Sequence, residues 1–198
     1  MWDASVRDGS WRPYGRPKFP LVLGTHGAGT VVLKGNRVRR FRIADRVWAY
    51  HYANPKGGFY AEYVAGGCAA RRASAEAQAG AAATTGLTAL QGIDDALHLR
   101  KGETVLIYGA SGAVGTLGLQ FAKRRRARIV ASATGRDATA LVRRLGAKAV
   151  FDAQSRDAVD HLRKIAPGGL DAALVLASGD SLEGCIDLVN PRGLSIQS

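Results

Sequence analysis

Two hydrophobic periods divide the chain. From Glu103 onward, short apolar runs alternate with segments whose apolar residues recur every three to four positions. The runs predict strands over residues 104–108, 128–133, 149–152, 172–177 and 194–197. The segments between them predict helices over residues 113–125, 137–145, 156–166 and 181–189. In the first helix Val114, Leu117, Gly118, Phe121 and Ala122 share one face, and in the last Leu182, Cys185, Ile186 and Val189 do. Gly146 stands where a helix ends in a glycine. Such alternation implies an α/β fold, a parallel sheet covered by helices on both faces. Right-handed crossovers then favour the doubly wound Rossmann order 3-2-1-4-5.

The earlier part has a different pattern. Residues 1–19 read as irregular, with Pro13, Pro17 and Pro20 interrupting any helix. Residues 21–23, 29–33, 46–50 and 60–65 read as short strands, with a small-residue turn over residues 24–29 and Gly57-Gly58 as a second turn. These predict a barrel-like β unit. Alanine-rich residues 73–84 predict a helix, and residues 86–91 a continuation into another. The change of pattern puts a domain boundary at Thr84, with domains over residues 1–84 and 85–198.

The stretch between the first strand and first helix of the second domain carries the chemistry. It runs Gly109-Ala110-Ser111-Gly112-Ala113-Val114-Gly115. Read as G-x-G-x-x-G, it has Ala110 at the first glycine; read one residue earlier, it is Gly109-x-x-Gly112-x-x-Gly115. Both readings keep Gly112 for close approach to a ligand and Gly115 for packing of helix on strand. A helix start presents unpaired N–H groups and partial positive charge, which suit a pyrophosphate. Gly112, Ala113, Val114 and Gly115 are the expected cradle, and Ser111 adds a hydroxyl donor beside it.

The tip of the second strand bears on which dinucleotide is bound. An acidic residue there serves the ribose 2′-OH of NAD, whereas an Arg accommodates the 2′-phosphate of NADP. The chain has Thr134 and Gly135 at that offset, followed by Arg136. The planar fork of Arg136 suits a phosphate, so NADPH is the expected cofactor. Asp137 keeps NAD open but more naturally caps the helix that follows.

Charge and cysteine content narrow the classes. The net charge of +12 comes from runs such as Arg37-Val38-Arg39-Arg40-Phe41-Arg42 and Lys123-Arg124-Arg125-Arg126. Such a surface attracts polyanions nonspecifically, but no nucleic-acid-binding motif accompanies it. The run from Lys123 fits a helix C-terminus, where cations complement the dipole. Cys68 and Cys185 lie far apart with no C-x-x-C partner, which argues against a disulfide framework or a cysteine zinc site and for a reducing, cytoplasmic setting. No apolar run reaches the ~20 residues of a membrane span.

Five segments in order resemble the medium-chain dehydrogenase/reductase superfamily, and within it the zinc-independent quinone oxidoreductase group. They are Leu23-Gly24-Thr25-His26-Gly27-Ala28-Gly29, Ala44-Asp45-Arg46-Val47, Gly58-Phe59-Tyr60-Ala61-Glu62-Tyr63-Val64, Ala81-Ala82-Ala83-Thr84-Thr85-Gly86-Leu87-Thr88-Ala89 and the glycine loop. The resemblance implies a GroES-like β domain before the Rossmann domain, and hydride transfer from NADPH to a quinone or an α,β-unsaturated carbonyl compound. It places Thr88 on the nicotinamide side of the cofactor, and a homodimer is expected of the full-length form. Tyr50 and Tyr52 follow the Asp-Arg-Val strand and are candidates for the substrate pocket, or else aromatics of the barrel. No acid–base residue stands out.

The chain departs from the zinc alcohol dehydrogenases of that superfamily. They carry Gly-His-Glu where it has Gly24-Thr25-His26, so Thr25 replaces the zinc-binding histidine and His26 takes the glutamate position. The four-cysteine lobe is absent, and no metal is expected. Relative to family members the chain enters late, near Trp2-Asp3, and stops after the fifth Rossmann strand, as an internal fragment or truncated product would. Two alternatives follow: an inactive nucleotide-binding fragment with a basic RNA-binding surface, and a zinc alcohol dehydrogenase relative.

Overall fold

The computed structural model describes residues 2–10, 19–51, 57–65, 69–72 and 76–197. The chain divides into two compact units, Met1–Thr84 and Thr85–Ser198.

In the first unit, helix α1 (Trp2–Asp8) precedes strands β1 (His26–Thr30), β2 (Arg46–Tyr50) and β3 (Ala69–Arg72). The strands form an antiparallel sheet in the order β1-β2-β3, with His26 opposite Tyr50. Several expectations are corrected here: residues 21–23 form no strand, and the strand expected over residues 29–33 is His26–Thr30. Residues 2–8 are helical rather than irregular, with Asp3 in the first turn and Arg7 in the last, where each charge complements the dipole. The prolines all lie beyond this segment.

The small residues 26–29 are strand rather than turn. Close packing accounts for two of them: a Cβ on Gly27 would stand 2.8 Å from the Phe59 ring, and Ala28 lies 3.2 Å from where a Gly80 Cβ would be. Residues 60–65 are not a strand: residues 60–62 bend and residues 63–65 are irregular, though Gly58, Phe59 and Tyr60 donate backbone hydrogen bonds to the carbonyls of Val22, Gly24 and Leu23.

Helix α2 (Glu76–Leu90) is one helix where two were expected, and it passes directly into a π-helical turn, Gln91–Ala96. The second unit then alternates: β4 (Thr104–Tyr108), α3 (Ala113–Arg124), β5 (Arg128–Ser132), α4 (Arg136–Leu145), β6 (Ala149–Phe151), α5 (Ala158–Ile165), β7 (Leu170–Val175), α6 (Leu182–Ile186) and β8 (Val189–Gln197). The sheet runs β6-β5-β4-β7-β8, all parallel. Numbered within the unit, that is the doubly wound order 3-2-1-4-5 read from the sequence.

Alternation along each strand sends side chains to two cores. Val105 and Ile107 of β4, Ile129 and Ala131 of β5 and Leu174 of β7 pack with Leu119 of α3, Val142 of α4 and Ile93 of the π turn. Leu106, Tyr108, Val130 and Ala173 face the other way, onto Leu162 of α5 and Cys185 of α6. Helices therefore cover both faces. Helix α6 ends earlier than expected. Its chain turns into β8 at Val189, and a register shift between Leu170 and Ala172 absorbs residues 190–193, which include Pro191. Among the described residues, no helix is long and apolar enough to cross a membrane.

Candidate functional site

The carboxyl ends of β4, β5, β6 and β7 converge where a doubly wound sheet binds its ligand. The turn after β4 is built from the backbone outward. Gly109 takes φ +82°, a left-handed conformation, and an added Cβ there would meet Ala177 Cβ at 2.9 Å. Its N–H donates to Ser132 Oγ at 2.8 Å, and the Ala110 N–H donates to the Ser132 carbonyl at 3.2 Å. Ser132 is a buried polar residue, 4% exposed, and it ties the turn to the end of β5. Sequence reasoning missed Ser132, because a serine at a strand end carries no motif.

Gly115 and Gly112 have different reasons to be glycine. A Cβ on Gly115 would stand 2.6 Å from the Gly109 carbonyl oxygen and 2.7 Å from two backbone atoms of Ala110, so α3 approaches β4 only without one. At Gly112 the nearest atom to an added Cβ is Gly109 O, 3.4 Å away, which is ordinary contact. The protein alone therefore leaves room at Gly112, on a turn where Ser111, Gly112 and Ala113 are exposed and Val114 half-buried.

Gly112 caps α3 with φ −72° and ψ 172°, makes no side-chain cap, and accepts the Thr116 N–H at 2.9 Å. The N–H groups of Ala113, Val114 and Gly115 come before that first intrahelical bond. The first turn carries no acidic residue, in contrast to Asp137 in α4 and Asp160 in α5. The turn thus presents donors and a dipole with no carboxylate to repel an anion, and these residues fit a diphosphate.

At the tip of β5, Gly135 takes φ +85° as the cap of α4, and Thr134, Gly135 and Arg136 are all exposed. Thr134 donates from Oγ1 to Asp152 Oδ1 at 2.7 Å, and the Gln154 N–H donates to the same oxygen at 3.0 Å. The Thr134 hydroxyl first, and then the Gln154 N–H, hold the Asp152 carboxyl below its ordinary pKa. Asp152 is a second residue that the sequence reading left out. It reaches the tip because β6 lies beside β5, a neighbour relation 18 residues apart in sequence. Deeper in the crevice, the Tyr108 hydroxyl lies 3.0 Å from Ser181 Oγ, which donates to the Ala153 carbonyl at 2.8 Å. This chain links the ends of β4 and β6 to the start of α6.

The remaining candidates belong to other elements. Thr88 is half-buried on α2. Tyr50 ends β2 in the first unit, half-buried opposite His26. Tyr52 and Cys68 lie outside the described residues. His26 Nδ1 lies 2.8 Å from Thr84 Oγ1 and 3.3 Å from Thr25 Oγ1, so its ring is engaged by hydroxyls. Among the described residues, no group of three or more His, Cys, Asp or Glu side chains could hold a metal ion.

Comparison with known proteins accounts for both units. Residues 2–90 match the alcohol dehydrogenase GroES-like domain, and residues 113–197 match the zinc-binding dehydrogenase domain. A quinone oxidoreductase of Pseudomonas aeruginosa is 29% identical over 196 residues, which cover 92% of this chain and 57% of the relative. The crystal structure of a quinone oxidoreductase of Pseudomonas syringae pv. Tomato DC3000 matches with a TM-score of 0.81 at 26% identity, covering 100% of this chain and 60% of that one. The Escherichia coli quinone oxidoreductase complexed with NADPH has the same fold, with a TM-score of 0.82 at 24% identity, over 99% of this chain and 60% of that one. The chain thus spans 57% to 60% of the length of these relatives. The family is shown by the two domain matches in order, the doubly wound sheet and the glycine turn: the chain belongs to the medium-chain dehydrogenase/reductase superfamily and is similar to its quinone oxidoreductases.

Proposed function

We propose that the chain binds NADPH and is part of a zinc-independent oxidoreductase that passes a hydride to a quinone or an α,β-unsaturated carbonyl compound. One observation carries the reading. The turn opening α3 is exposed, uncapped and free of carboxylate, while Gly115 and Ser132 hold its backbone in place. The quinone oxidoreductase relatives, one of them described with NADPH, support the same class.

The cofactor, when bound, supplies the hydride from C4 of its nicotinamide. The protein's work is position. The N–H groups of Ala113, Val114 and Gly115 would bind the diphosphate, with the Ser111 hydroxyl beside them. Thr134 and Gly135 shape the ribose end, and exposed Arg136 would pair with the 2′-phosphate. Asp152 stands near that end, but its Oδ1 is occupied by Thr134 and Gln154, which favours Arg136 as the group that reads the ribose. Thr88 would approach the nicotinamide side, and Tyr50 and Tyr52 the substrate. A quinone that accepts a hydride needs only a solvent proton to complete its reduction, consistent with no protein acid standing out.

The test has two arms. Titration with NADPH and NADH should give tighter binding of NADPH, and Arg136→Ala should weaken NADPH about tenfold, the loss of one charge-assisted pair, with NADH unchanged. Equal affinity for the two nucleotides overturns the role of Arg136. Oxidation of NADPH with a panel of quinones and enones, in this chain and in a form of the relatives' length, then assays the reaction. No turnover by the longer form would refute the activity while leaving nucleotide binding standing.

A further inference from the structure

The glycine turn lies at the carboxyl ends of the strands. At the opposite end, where β4 and β5 begin, the second unit holds another concavity, a cleft of ≈ 570 Å³. Two basic runs line it: Arg100-Lys101, just before β4, and Arg124-Arg125-Arg126, at the end of α3. They are brought together because β4 and β5 pair in parallel with Thr104 opposite Arg128. The Gly102 N–H donates to the Arg126 carbonyl at 3.1 Å, and the Arg128 N–H to the Glu103 carbonyl at 2.8 Å.

The backbone here is costlier than it need be. Arg126 closes α3 in a Schellman arrangement: its N–H donates to the Lys123 carbonyl and that of Ala127 to the Ala122 carbonyl. The residue in the left-handed position of that motif is Arg126 itself, at φ +58°. Helix α4 ends in the same pattern with Gly146, the residue that takes this conformation without strain. The π turn ends likewise on a non-glycine residue, His98 at φ +46°, which also lines the cleft. Of the three non-glycine residues with positive φ among those described, two are in this lining. Side chains are kept at both places at the expense of backbone comfort.

Charge is unbalanced in the same place. Arg125 pairs with both oxygens of Asp94, through Nε at 2.7 Å and Nη2 at 2.7 Å. Asp94 is the one carboxylate lining the cleft, against five cations. Among the described residues, Arg100, Lys101, Arg124 and Arg126 have no carboxylate within ion-pair distance. All these cations are exposed and partly screened by water, and the Glu103 carboxylate accepts the Arg100 backbone N–H at 2.7 Å. Four like charges around one concavity still repel one another, and an anion between them relieves that repulsion. The lining contains no Phe, Tyr or Trp, the platforms on which nucleic-acid bases stack. It offers guanidinium and ammonium groups for phosphate oxygens, and the guanidinium planes are its sole surface on which a base could stack.

We propose that this cleft is a second anion site, which takes the linked phosphates of a compact molecule, either an inorganic polyphosphate or an organic polyphosphate ester. It is independent of the nucleotide reading above. The experiment is calorimetric titration of the folded chain with inorganic tripolyphosphate at ~0.15 M salt, where diffuse surface attraction is screened beyond about 8 Å. Saturable binding is expected, weakened at least about tenfold by Arg124→Gln and by Arg126→Gly.

Arg126→Gly removes the charge while putting glycine in the left-handed position, so its melting temperature should be no lower than that of the parent. Arg143→Gln/Arg144→Gln removes two charges from α4 and should leave the affinity unchanged. Tighter binding of ATP than of tripolyphosphate would assign the organic source, and the reverse the inorganic one. Absence of saturable binding, an equal loss in the α4 variant, or tighter binding of a short oligouridylate than of tripolyphosphate would overturn the proposal.

Discussion

Replacing Gly115 with alanine tests the turn most directly. The new Cβ would lie 2.6 Å from Gly109 O and 2.7 Å from both Cα and the carbonyl carbon of Ala110. All three are backbone atoms, so no side chain can swing aside. The turn cannot easily retreat either, because Ser132 holds the N–H groups of both Gly109 and Ala110. Overpacking costs about 1–3 kcal/mol, and three simultaneous backbone contacts put this case at the upper end. Alanine's better helix propensity returns about 1 kcal/mol. The net loss is about 2 kcal/mol, or a fall in melting temperature of about 6–12 °C for a unit of this size.

Gly112→Ala is the matched comparison. Its φ and ψ suit any residue, and the added Cβ has one neighbour at 3.4 Å. Its melting temperature should stay within about 2 °C, as for most changes that meet no clash. NADPH affinity should separate the two the other way, with Gly112→Ala, although stable, binding more weakly because its methyl stands where the diphosphate would lie. Thermal unfolding followed by circular dichroism and a nucleotide titration read the two quantities independently. A Gly115→Ala protein that melts with the parent would refute the packing argument, and with it the inference from glycine spacing to a phosphate cradle.

Two further outcomes follow from the side chains around the turn. Ser132→Ala removes the buried acceptor of the Gly109 N–H and should cost about 1–3 kcal/mol in urea unfolding, the penalty of an unsatisfied buried donor; a loss under about 0.5 kcal/mol would mean that the N–H finds another partner. Asp152 has its pKa lowered in the folded chain, so its contribution to stability is complete above the unfolded value of about 3.9 and is lost as pH falls through the lowered one. NMR titration of Asp152 in Thr134→Val should show a midpoint moved up toward the ordinary carboxylate value, and an unmoved midpoint would deny the Thr134 hydrogen bond.

The second unit was legible because its signals are local and periodic. Strands such as Val105–Tyr108 are apolar on both faces, and helices such as α3 carry one apolar stripe, so period alone separates them. The first unit was harder for a physical reason. In β1 the residues are Gly27, Ala28 and Gly29, whose composition says turn. The smallness of Gly27 and Ala28 is set by contacts with Phe59 and with Gly80, which are far off in sequence, whereas a side chain at Gly29 would meet open space. No window along the chain contains those partners. The same limit hid the end of α6, where the register of β8 against β7 decides the boundary.

The site shows where motif reading stops. A glycine fingerprint merges three demands, and they leave different traces. Gly109 is fixed by its dihedral angle and by Ala177, and Gly115 by the backbone of the turn, so both are explained by the protein alone. The alignment that put Ala110 at the first glycine passed over Gly109, the position whose conformation most needs it. Gly112 is the reverse case: nothing in the folded chain demands a glycine there. Free space alone is not distinctive, since side chains at Gly29, Gly35 and Gly168 would also meet no neighbour, but at Gly112 it lies on an exposed turn at a helix start that bears no carboxylate. That setting of free space, unpaired donors and no carboxylate is what points to a bound phosphate there. Arg126 is the opposite case, a left-handed position that glycine would fill more easily and that here bears a charge.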